Sequence, residues 1–165
     1  MSKQEKTNAM RILDRNRIPY TAHFYEEGEN PLESRDYGVH VAETLGEAPE
    51  RCFKTLAAKG ASGGVYVYEI PVGETLNLKK AAKAVGEKSV SLLAVKELNA
   101  VTGYVRGGCS PIGMKKPFPV VFHRTAGVYE TIFISGGKIG VQVEAAPQAL
   151  MSLLGASAED LTVET

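Results

Sequence analysis

The segment Phe53-Lys54-Thr55-Leu56 places a lysine within a run of residues that favours a β-strand. Alternation along a strand puts Phe53 and Thr55 on one face, and Lys54 on the other with apolar Cys52 and Leu56. Two interpretations of the lysine are open. Its ammonium can reach past the apolar surface to water, as in an ordinary strand lysine. Alternatively it faces a pocket, where it could hold a carbonyl oxygen, stabilise charge growing on that oxygen, or act as a base.

A glycine-rich segment, residues 103–113, contains four glycines and one proline. Glycine lets backbone N–H groups approach a substrate closely, and proline fixes part of the loop. This composition fits a substrate cradle or an oxyanion site, and it also fits a tight surface turn without a ligand. Arg106, Lys115 and Lys116 lie in or just after the segment, where they could contact phosphates or form a solvated face.

The sequence offers no obvious nucleophile or metal site. His23, His40 and His123 are far apart and show no metal-ligand spacing, so neither a metal nor another cofactor is expected. The sequence has no G-x-S-x-G elbow between a strand and a helix, since its one match to that spacing, residues 60–64, lies in a predicted hairpin turn; it also has no phosphate-loop or dinucleotide pattern. Cys109 lies in the glycine-rich segment near basic residues that could favour a thiolate, but no histidine is close in sequence to activate it. The alternative is that Cys109 is a small loop residue without a chemical role.

Length and composition indicate one domain over residues 1–165, because 44% of its residues are hydrophobic and can bury a substantial core. Lys+Arg and Asp+Glu number 19 each, so contact with nucleic acid must come from local clusters. The N-terminus resembles no signal peptide, and no apolar run approaches the roughly 20 residues that cross a bilayer. Two separated cysteines suit a reducing cytoplasm. Neither DNA nor a membrane is expected as a partner.

The elements that must position these residues alternate between helical and extended patterns. Helices are predicted at residues 3–16, 36–45, 78–85, 95–101 and 147–154. Strands are predicted at residues 21–25, 52–58, 65–70, 90–93, 120–123, 131–135 and 139–143, with a loop at 26–31. Glycine-rich turns at 60–64 and 136–138 predict hairpins, which argue against a simple parallel βαβ array. We therefore expect the α+β class, with a mixed, curled (barrel-like) β-sheet flanked by helices.

In order and spacing, several segments together resemble the YbaK family of Cys-tRNA(Pro)/Cys-tRNA(Cys) deacylases. They are Phe53-Lys54-Thr55-Leu56, Leu78-Lys79-Lys80, Gly103-Tyr104, Gly107-Gly108, Ser110-Pro111, Gly113, Lys115-Lys116 and Ser135-Gly136-Gly137-Lys138. This family is related to the editing domain inserted in bacterial prolyl-tRNA synthetases, and the likeness covers nearly the whole chain. It implies trans-editing hydrolysis of the ester that joins an amino acid to tRNA, most specifically in Cys-tRNA(Pro).

The resemblance also implies roles for particular residues, with Lys54 as the catalytic side chain. The implied substrate-binding residues are Tyr25, Thr55, Gly107, Gly108, Ser110, Pro111, Gly113, Ser135 and Gly136. Basic residues expected to contact tRNA are Lys79, Lys80, Arg106, Lys115 and Lys116. In this family the thiol of the substrate cysteine is taken to attack its own ester carbonyl, so the protein need not supply a nucleophile.

Two positions depart from the family pattern. Gln142 stands where close relatives can carry an aspartate, so a carboxylate that could bind the substrate amine is replaced by a neutral amide. Cys109 stands where the family commonly has an aliphatic residue. Alanyl- or seryl-tRNA therefore stay open as substrates, as does a noncatalytic module that binds tRNA or a synthetase. The neutral net charge also suggests that prolyl-tRNA synthetase delivers the tRNA.

Overall fold

The computed structural model describes residues 6–26 and 37–164 of the chain, and its interspersed helices and strands confirm the α+β class. The helices are α1 (Asn8–Arg15), α2 (Tyr37–Leu45), α3 (Leu78–Val85), α4 (Val95–Thr102) and α5 (Pro147–Leu154). The strands are β1 (Tyr20–Phe24), β2 (Phe53–Gly60), β3 (Val65–Pro71), β4 (Val90–Leu92), β5 (Val120–His123), β6 (Ile132–Ser135), β7 (Val141–Ala145) and β8 (Ser157–Glu159). None of the described helices has the length and apolar character that a membrane span requires.

The strands form two sheets, so the expectation of one curled, barrel-like sheet is wrong. One sheet is antiparallel with the order β1-β7-β6. The other is mixed with the order β4-β2-β3-β5-β8, in which β5 and β8 add parallel strands to the β2–β3 hairpin. A single bridge between Cys52 and Phe133 connects the two ladders at the start of β2. Because one bridge does not continue a ladder, the described strands do not close into a barrel.

Both predicted hairpins are confirmed. The turn between β2 and β3 closes with a hydrogen bond from Gly60 N to Gly64 O at 2.8 Å. The turn between β6 and β7 closes from Gly136 N to Val141 O at 2.9 Å. That second turn is longer than predicted, because Gly140 adopts a φ of 96° and delays the start of β7 to Val141.

Strand β2 is buried on both of its faces, as the alternation predicts. Phe53 packs in the larger core, which α1 and α5 cover and which includes Met10, Leu13, Ile132, Ile134 and Leu150. Leu56 and Ala58 pack in a second core, which α3 covers and which includes Tyr68, Ile70 and Ala81. The face that Lys54 shares with Leu56 and Ala58 is therefore largely apolar.

Helix starts follow their capping residues. Helix α1 begins at Asn8 because the Thr7 hydroxyl accepts a hydrogen bond from Met10 N at 3.2 Å, which shortens the predicted helix 3–16. Asn77 caps α3 as predicted, since its side chain accepts from two backbone N–H groups at 3.0 Å. Residues 3–5 of the first predicted helix, Asp36 of the second, and positions 27–31 of the predicted loop lie outside the described residues.

Strand β8 was not predicted. Its three residues are all exposed and carry no alternating apolar pattern, so periodicity gives no signal for it. It is added in parallel to β5, and the chain just beyond it is fixed by a hydrogen bond from Leu161 N to Nδ1 of buried His123 at 3.0 Å. Two short 3-10 helices, Pro49–Arg51 and Arg124–Val128, were also missed.

A polar network fixes the chain just before β2 to the three-stranded sheet. The Arg51 guanidinium lies 3.2 Å from a carboxylate oxygen of Glu144 and donates to the Thr131 hydroxyl at 2.6 Å. Glu144 also contacts Nε2 of His23 at 2.9 Å. The hydrogen bond from Thr131, followed by the contacts with His23 and Arg51, lowers the pKa of Glu144. The network therefore contributes most when this carboxyl is ionised.

We predict that Glu144→Gln lowers the free energy of unfolding at neutral pH by about 1 kcal/mol, since hydrogen bonds to a charged group are lost. Because folding lowers the pKa of Glu144, its contribution is complete above the ordinary carboxyl pKa and disappears as pH falls through the folded value. Urea denaturation at several pH values should show the mutant and wild-type proteins converging in acid. Glu43→Gln on the exposed surface of α2 is the control, and an equal loss there would contradict the prediction.

Candidate active site

A cleft of about 240 Å³ opens beside the first half of β2, where α2, the glycine-rich loop and strands β6 and β7 meet. Its polar side chains are Tyr37, Lys54, Thr55, Arg106, Ser135 and Gln142. Both cysteines also line it, together with apolar residues from β2, β3 and α2. The cleft therefore combines a largely apolar wall with a few converging polar groups, which is the usual character of a small-molecule site.

Lys54 is half-buried in this cleft, on the part of β2 that is paired with β3. Its partner across the β2–β3 ladder is Ile70, and its own face of β2 is largely apolar. Of the two interpretations that the sequence left open, the structure supports the pocket. Arg106 lines the same cleft, so the described lining contains two basic side chains. The electrostatic character of this wall suits an oxygen that gains negative charge.

The glycine-rich loop is pressed against the turn between β6 and β7. A Cβ atom on Gly108 would lie 2.9 Å from Ile139 N and 3.1 Å from the Lys138 Cα atom, both backbone atoms of that turn. Gly108 is thus buried behind the cleft, while Gly107, with a φ of 88°, lines it. The absence of a side chain at Gly108 lets the loop approach the hairpin and close one end of the cleft.

Other predicted residues of this loop stabilise the loop itself. The Ser110 hydroxyl is buried and accepts from Ile112 N at 3.1 Å, and Pro111 is buried beside it. Gly113 is exposed and lies near Asn8 and Tyr104. These three residues do not line the cleft, so any effect they have on a substrate would pass through the loop's conformation.

Ser135 and Gln142 form a cross-strand pair between β6 and β7, and both line the cleft. Directly opposed residues of antiparallel strands point to the same face of the sheet, so the two side chains present a hydroxyl and an amide together. Ser135 also accepts a hydrogen bond from Gly137 N at 3.1 Å. Gly136 lies behind this pair, where it packs against Val141 and its carbonyl accepts from the Thr7 hydroxyl at 2.6 Å.

Tyr25 reaches the cleft only through a neighbour. Its hydroxyl lies 3.2 Å from the hydroxyl of Tyr37, and Tyr37 lines the cleft. The sequence indicated Gln142 as a position that could contact substrate, but it did not indicate that Tyr37 and Cys52 share a wall with it, since the three come from distant parts of the chain. The one sequence signal for Tyr37 as a cleft residue was its position directly before Gly38. Because Gly38 has no side chain, α2 can pack closely on Val72.

The five basic residues expected to contact tRNA are not gathered in one place. Arg106 lines the cleft and is exposed. Lys80 instead fixes the C-terminal segment, with Nζ 2.8 Å from a carboxylate oxygen of Asp160 and 2.8 Å from Thr162 O. Lys115 Nζ donates to Ala100 O at 3.2 Å. Lys79 and Lys116 are exposed.

Both cysteine thiols are protonated at neutral pH. Burial, reinforced by the negative charge of Glu47, raises the pKa of Cys52 to about 12. Burial, reinforced by Glu69, raises the pKa of Cys109 to about 12. Because the thiolate is the nucleophilic form, neither cysteine is prepared to attack a substrate. This argues for the structural interpretation of Cys109.

Unlike the two cysteines, the three histidines do not line the cleft. His23 contacts Glu144, His40 is exposed, and His123 accepts from Leu161 N. Among the residues that the structure describes, no three His, Cys, Asp or Glu side chains are grouped closely enough to hold a metal ion.

The cleft combines a half-buried lysine with a glycine-rich loop in an α+β fold. The class of protein is given by a family model: this chain belongs to the aminoacyl-tRNA editing domain family, whose model matches residues 35–153. A relative from Enterococcus faecalis (strain ATCC 700802 / V583) is 44% identical over 161 residues, which cover 98% of this chain and 96% of the relative. That relative carries the provisional name Cys-tRNA(Pro)/Cys-tRNA(Cys) deacylase EbsC. The family identified from sequence motifs is confirmed.

Solved structures show the same fold at low sequence identity. The hypothetical protein APE2540 superposes with a TM-score of 0.84 at 22% identity, covering 95% of this chain and 100% of that one. A protein described provisionally as a trans-editing enzyme for prolyl tRNA synthetase superposes with a TM-score of 0.76 at 21% identity, covering 97% and 100%. These likenesses establish the fold alone.

We predict that Gly108→Ala destabilises the protein by about 1–3 kcal/mol, since the new methyl group would meet backbone that cannot rotate away. Gly127→Ala is the matched control. Its Cβ would have only an ordinary contact, 3.9 Å from Gln148 Nε2. Urea denaturation of both variants measures the difference. Equal stability of the two mutants would contradict the close approach of loop and hairpin.

Proposed function

We propose that this protein hydrolyses the ester of mischarged aminoacyl-tRNA in trans, with Cys-tRNA(Pro) as its main substrate. The observation that carries the proposal is the half-buried Lys54 in a small cleft that is closed by Gly107 and lined by Ser135. The family and the name of the Enterococcus faecalis relative support the reaction class. The reducing cytoplasm, where tRNA is charged, is the proposed location.

Lys54 and the backbone of the glycine-rich loop would share the electrostatic work. The ammonium would hold the ester carbonyl and stabilise the negative charge that develops on its oxygen during attack. Each well-placed donor of this kind lowers the activation barrier by on the order of 3 kcal/mol. The small volume of the cleft would hold the attacking atom close to the carbonyl, which adds to the rate through proximity.

The attacking group would come from the substrate itself. The two thiols of the protein that line the cleft stay protonated, so neither supplies a thiolate. The sulfur of the substrate cysteine would attack its own carbonyl carbon and lose its proton, while the ribose oxygen leaves and gains one. That step releases the tRNA, and water would then open the cyclic thioester to give free cysteine.

Orientation of the aminoacyl group would fall to the polar pair Ser135 and Gln142 and to the hydroxyls of Tyr25 and Tyr37. Gln142 offers a carbonyl oxygen to an ammonium group and an NH₂ donor to an oxygen. Because it is neutral, its contribution to binding a substrate ammonium would be weaker than that of a carboxylate. Thr55 and Gly107 complete the substrate wall, with Gly108, Ser110, Pro111, Gly113 and Gly136 supporting it from behind.

Binding of the tRNA would depend on few charges. Arg106 at the cleft is the main candidate for a phosphate near the acceptor end, with exposed Lys116, Lys115 and Lys79 as further candidates. The chain has no net charge, so intrinsic tRNA affinity would be weak. We propose that prolyl-tRNA synthetase presents the mischarged tRNA to this protein.

We predict that Lys54→Ala lowers the rate of cysteine release from Cys-tRNA(Pro) by about 10²–10³-fold, the loss typical of one oxyanion donor. Lys59→Ala is the matched control, because Lys59 lies on the same strand but is exposed. The assay uses a panel of cysteinyl-, alanyl- and seryl-tRNA with purified protein, and circular dichroism checks folding. Full activity of folded Lys54→Ala would contradict the mechanism. No release from any charged tRNA, despite tRNA or synthetase binding, would instead indicate the noncatalytic module.

We predict that Arg106→Ala weakens tRNA binding and reduces by about one the slope of log affinity against log salt, since one phosphate contact is removed. Arg15→Ala, an exposed residue on α1, should leave both quantities unchanged. Fluorescence anisotropy with labelled tRNA over a range of KCl concentrations measures both. An unchanged slope in Arg106→Ala would remove Arg106 from the tRNA interface.

A further inference from the structure

Glu69 is a completely buried carboxyl group in the middle of strand β3. Within the described part of the chain, neither of its oxygens has a hydrogen-bond partner, and the buried hydroxyl oxygen of Thr55 also has none. Burial raises the pKa of Glu69 well above its usual range, and proximity to the Thr55 hydroxyl opposes this only in part. Burial therefore favours the protonated form of Glu69, and no hydrogen bond to a described residue explains its presence in the core.

The position of Glu69 connects it to the cleft. It is the direct cross-strand partner of Thr55, so the two side chains point to the same face of the β2–β3 hairpin. Thr55 lines the cleft. Cys109, which also lines it, lies close enough to Glu69 for the carboxyl to raise the pKa of the thiol. The carboxyl group thus lies directly behind a wall formed by Thr55 and Cys109.

An apolar side chain would suit this position better if packing were its only role. A buried acid without a partner loses its hydration and gains no hydrogen bond in return. Residues that break the rules of core composition without a structural gain are concentrated at functional sites. Glu69 is therefore a candidate for a role in the cleft. Among the described residues, the polar groups that could connect its carboxyl to the cleft are the Thr55 hydroxyl and the Cys109 thiol.

We propose that Glu69 is a positioning residue that supplies a proton, through the Thr55 hydroxyl, to the ribose oxygen that leaves the ester. This proposal rests on the proposed deacylase function. As the carbon–oxygen ester bond breaks, Thr55 would give its hydroxyl proton to the ribose oxygen and accept the proton of Glu69. The thiol that attacks the carbonyl releases one proton, and that proton would return to Glu69 through Thr55, so the protein ends the step unchanged.

The geometry permits this transfer after a small adjustment. Directly opposed residues of an antiparallel pair have Cβ atoms about 5 Å apart, so side-chain rotation can bring carboxyl and hydroxyl into hydrogen-bond distance. Hydrogen bonds used in catalysis are often long before substrate binds and shorten in the complex. Cys109 is the weaker route, because it is not the cross-strand partner of Glu69 and because a thiol is a weaker hydrogen-bond donor and acceptor than a hydroxyl.

The test compares Glu69→Gln, Thr55→Val and their double mutant in single-turnover release of cysteine from Cys-tRNA(Pro). Loss of a positioned proton donor should lower the maximal rate by about 10²-fold in each single mutant, with little change in KM. The double mutant should lose no more than either single mutant. Thr55→Ser should recover most of what Thr55→Val loses. Glu74→Gln, an acid outside the cleft lining, should keep the wild-type rate.

Two further measurements separate this role from a structural one. The wild-type rate should fall at alkaline pH as Glu69 loses its proton, and Glu69→Gln should lack that fall. Glu69→Met should also be at least as stable in urea as the wild-type protein, because an apolar side chain replaces a buried polar group that has no hydrogen bond to a described residue.

The outcomes distinguish this proposal from the function on which it rests. If the wild-type protein releases cysteine and Glu69→Gln does so at the same maximal rate, only the proton route is overturned. If the Glu69 variants fold poorly, Thr55→Val becomes the test. An unchanged maximal rate in that mutant would overturn the proton route and leave the deacylase function standing. If the wild-type protein and Lys54→Ala are equally inactive, the deacylase function and the proton route both fail.

Discussion

The antiparallel register of β2 on β3 is the constraint on which the cleft depends. It sets Lys54 opposite Ile70 and Thr55 opposite Glu69. Since β2 is packed against one apolar core on each face, a shift of one residue would exchange its two sets of side chains. Phe53 would then leave the larger core, and the ammonium of Lys54 would enter it. The cost of that exchange fixes the lysine at the cleft.

A second constraint is the close approach of two backbones at the junction of the sheets. Among the described residues, one bridge connects the two ladders. The space beside that bridge must therefore be closed by the glycine-rich loop and the β6–β7 hairpin. The contact of Gly108 with the Lys138–Ile139 backbone closes this space and leaves a cavity of small-ligand size. The cleft therefore lies where regular hydrogen bonding stops and irregular backbone begins, which is where backbone N–H groups are available to a substrate.

Local patterns in the sequence predict most of this fold, and long-range contacts account for what they miss. Alternation predicted the two faces of β2, and glycine-rich turns predicted both hairpins. Strand β8 depends on pairing with β5 and has no pattern of its own, while the division into two sheets depends on which strand edges meet. Composition likewise could not separate Gly107, which lines the cleft, from Ser110, which stabilises the loop behind it. Tyr37 and Gln142 share a wall only because α2 and β7 converge on β2.

Charge balance explains why these pieces form one coherent site. The described lining of the cleft includes the basic side chains of Lys54 and Arg106, which suit an oxygen that becomes negative. Glu69 lies just behind this wall, and an ionised carboxylate there would offset part of the positive potential of Lys54. Burial with no hydrogen-bond partner among the described residues favours its neutral form instead. The same burial that weakens the core thus preserves the field of the lysine and keeps a proton available beside Thr55.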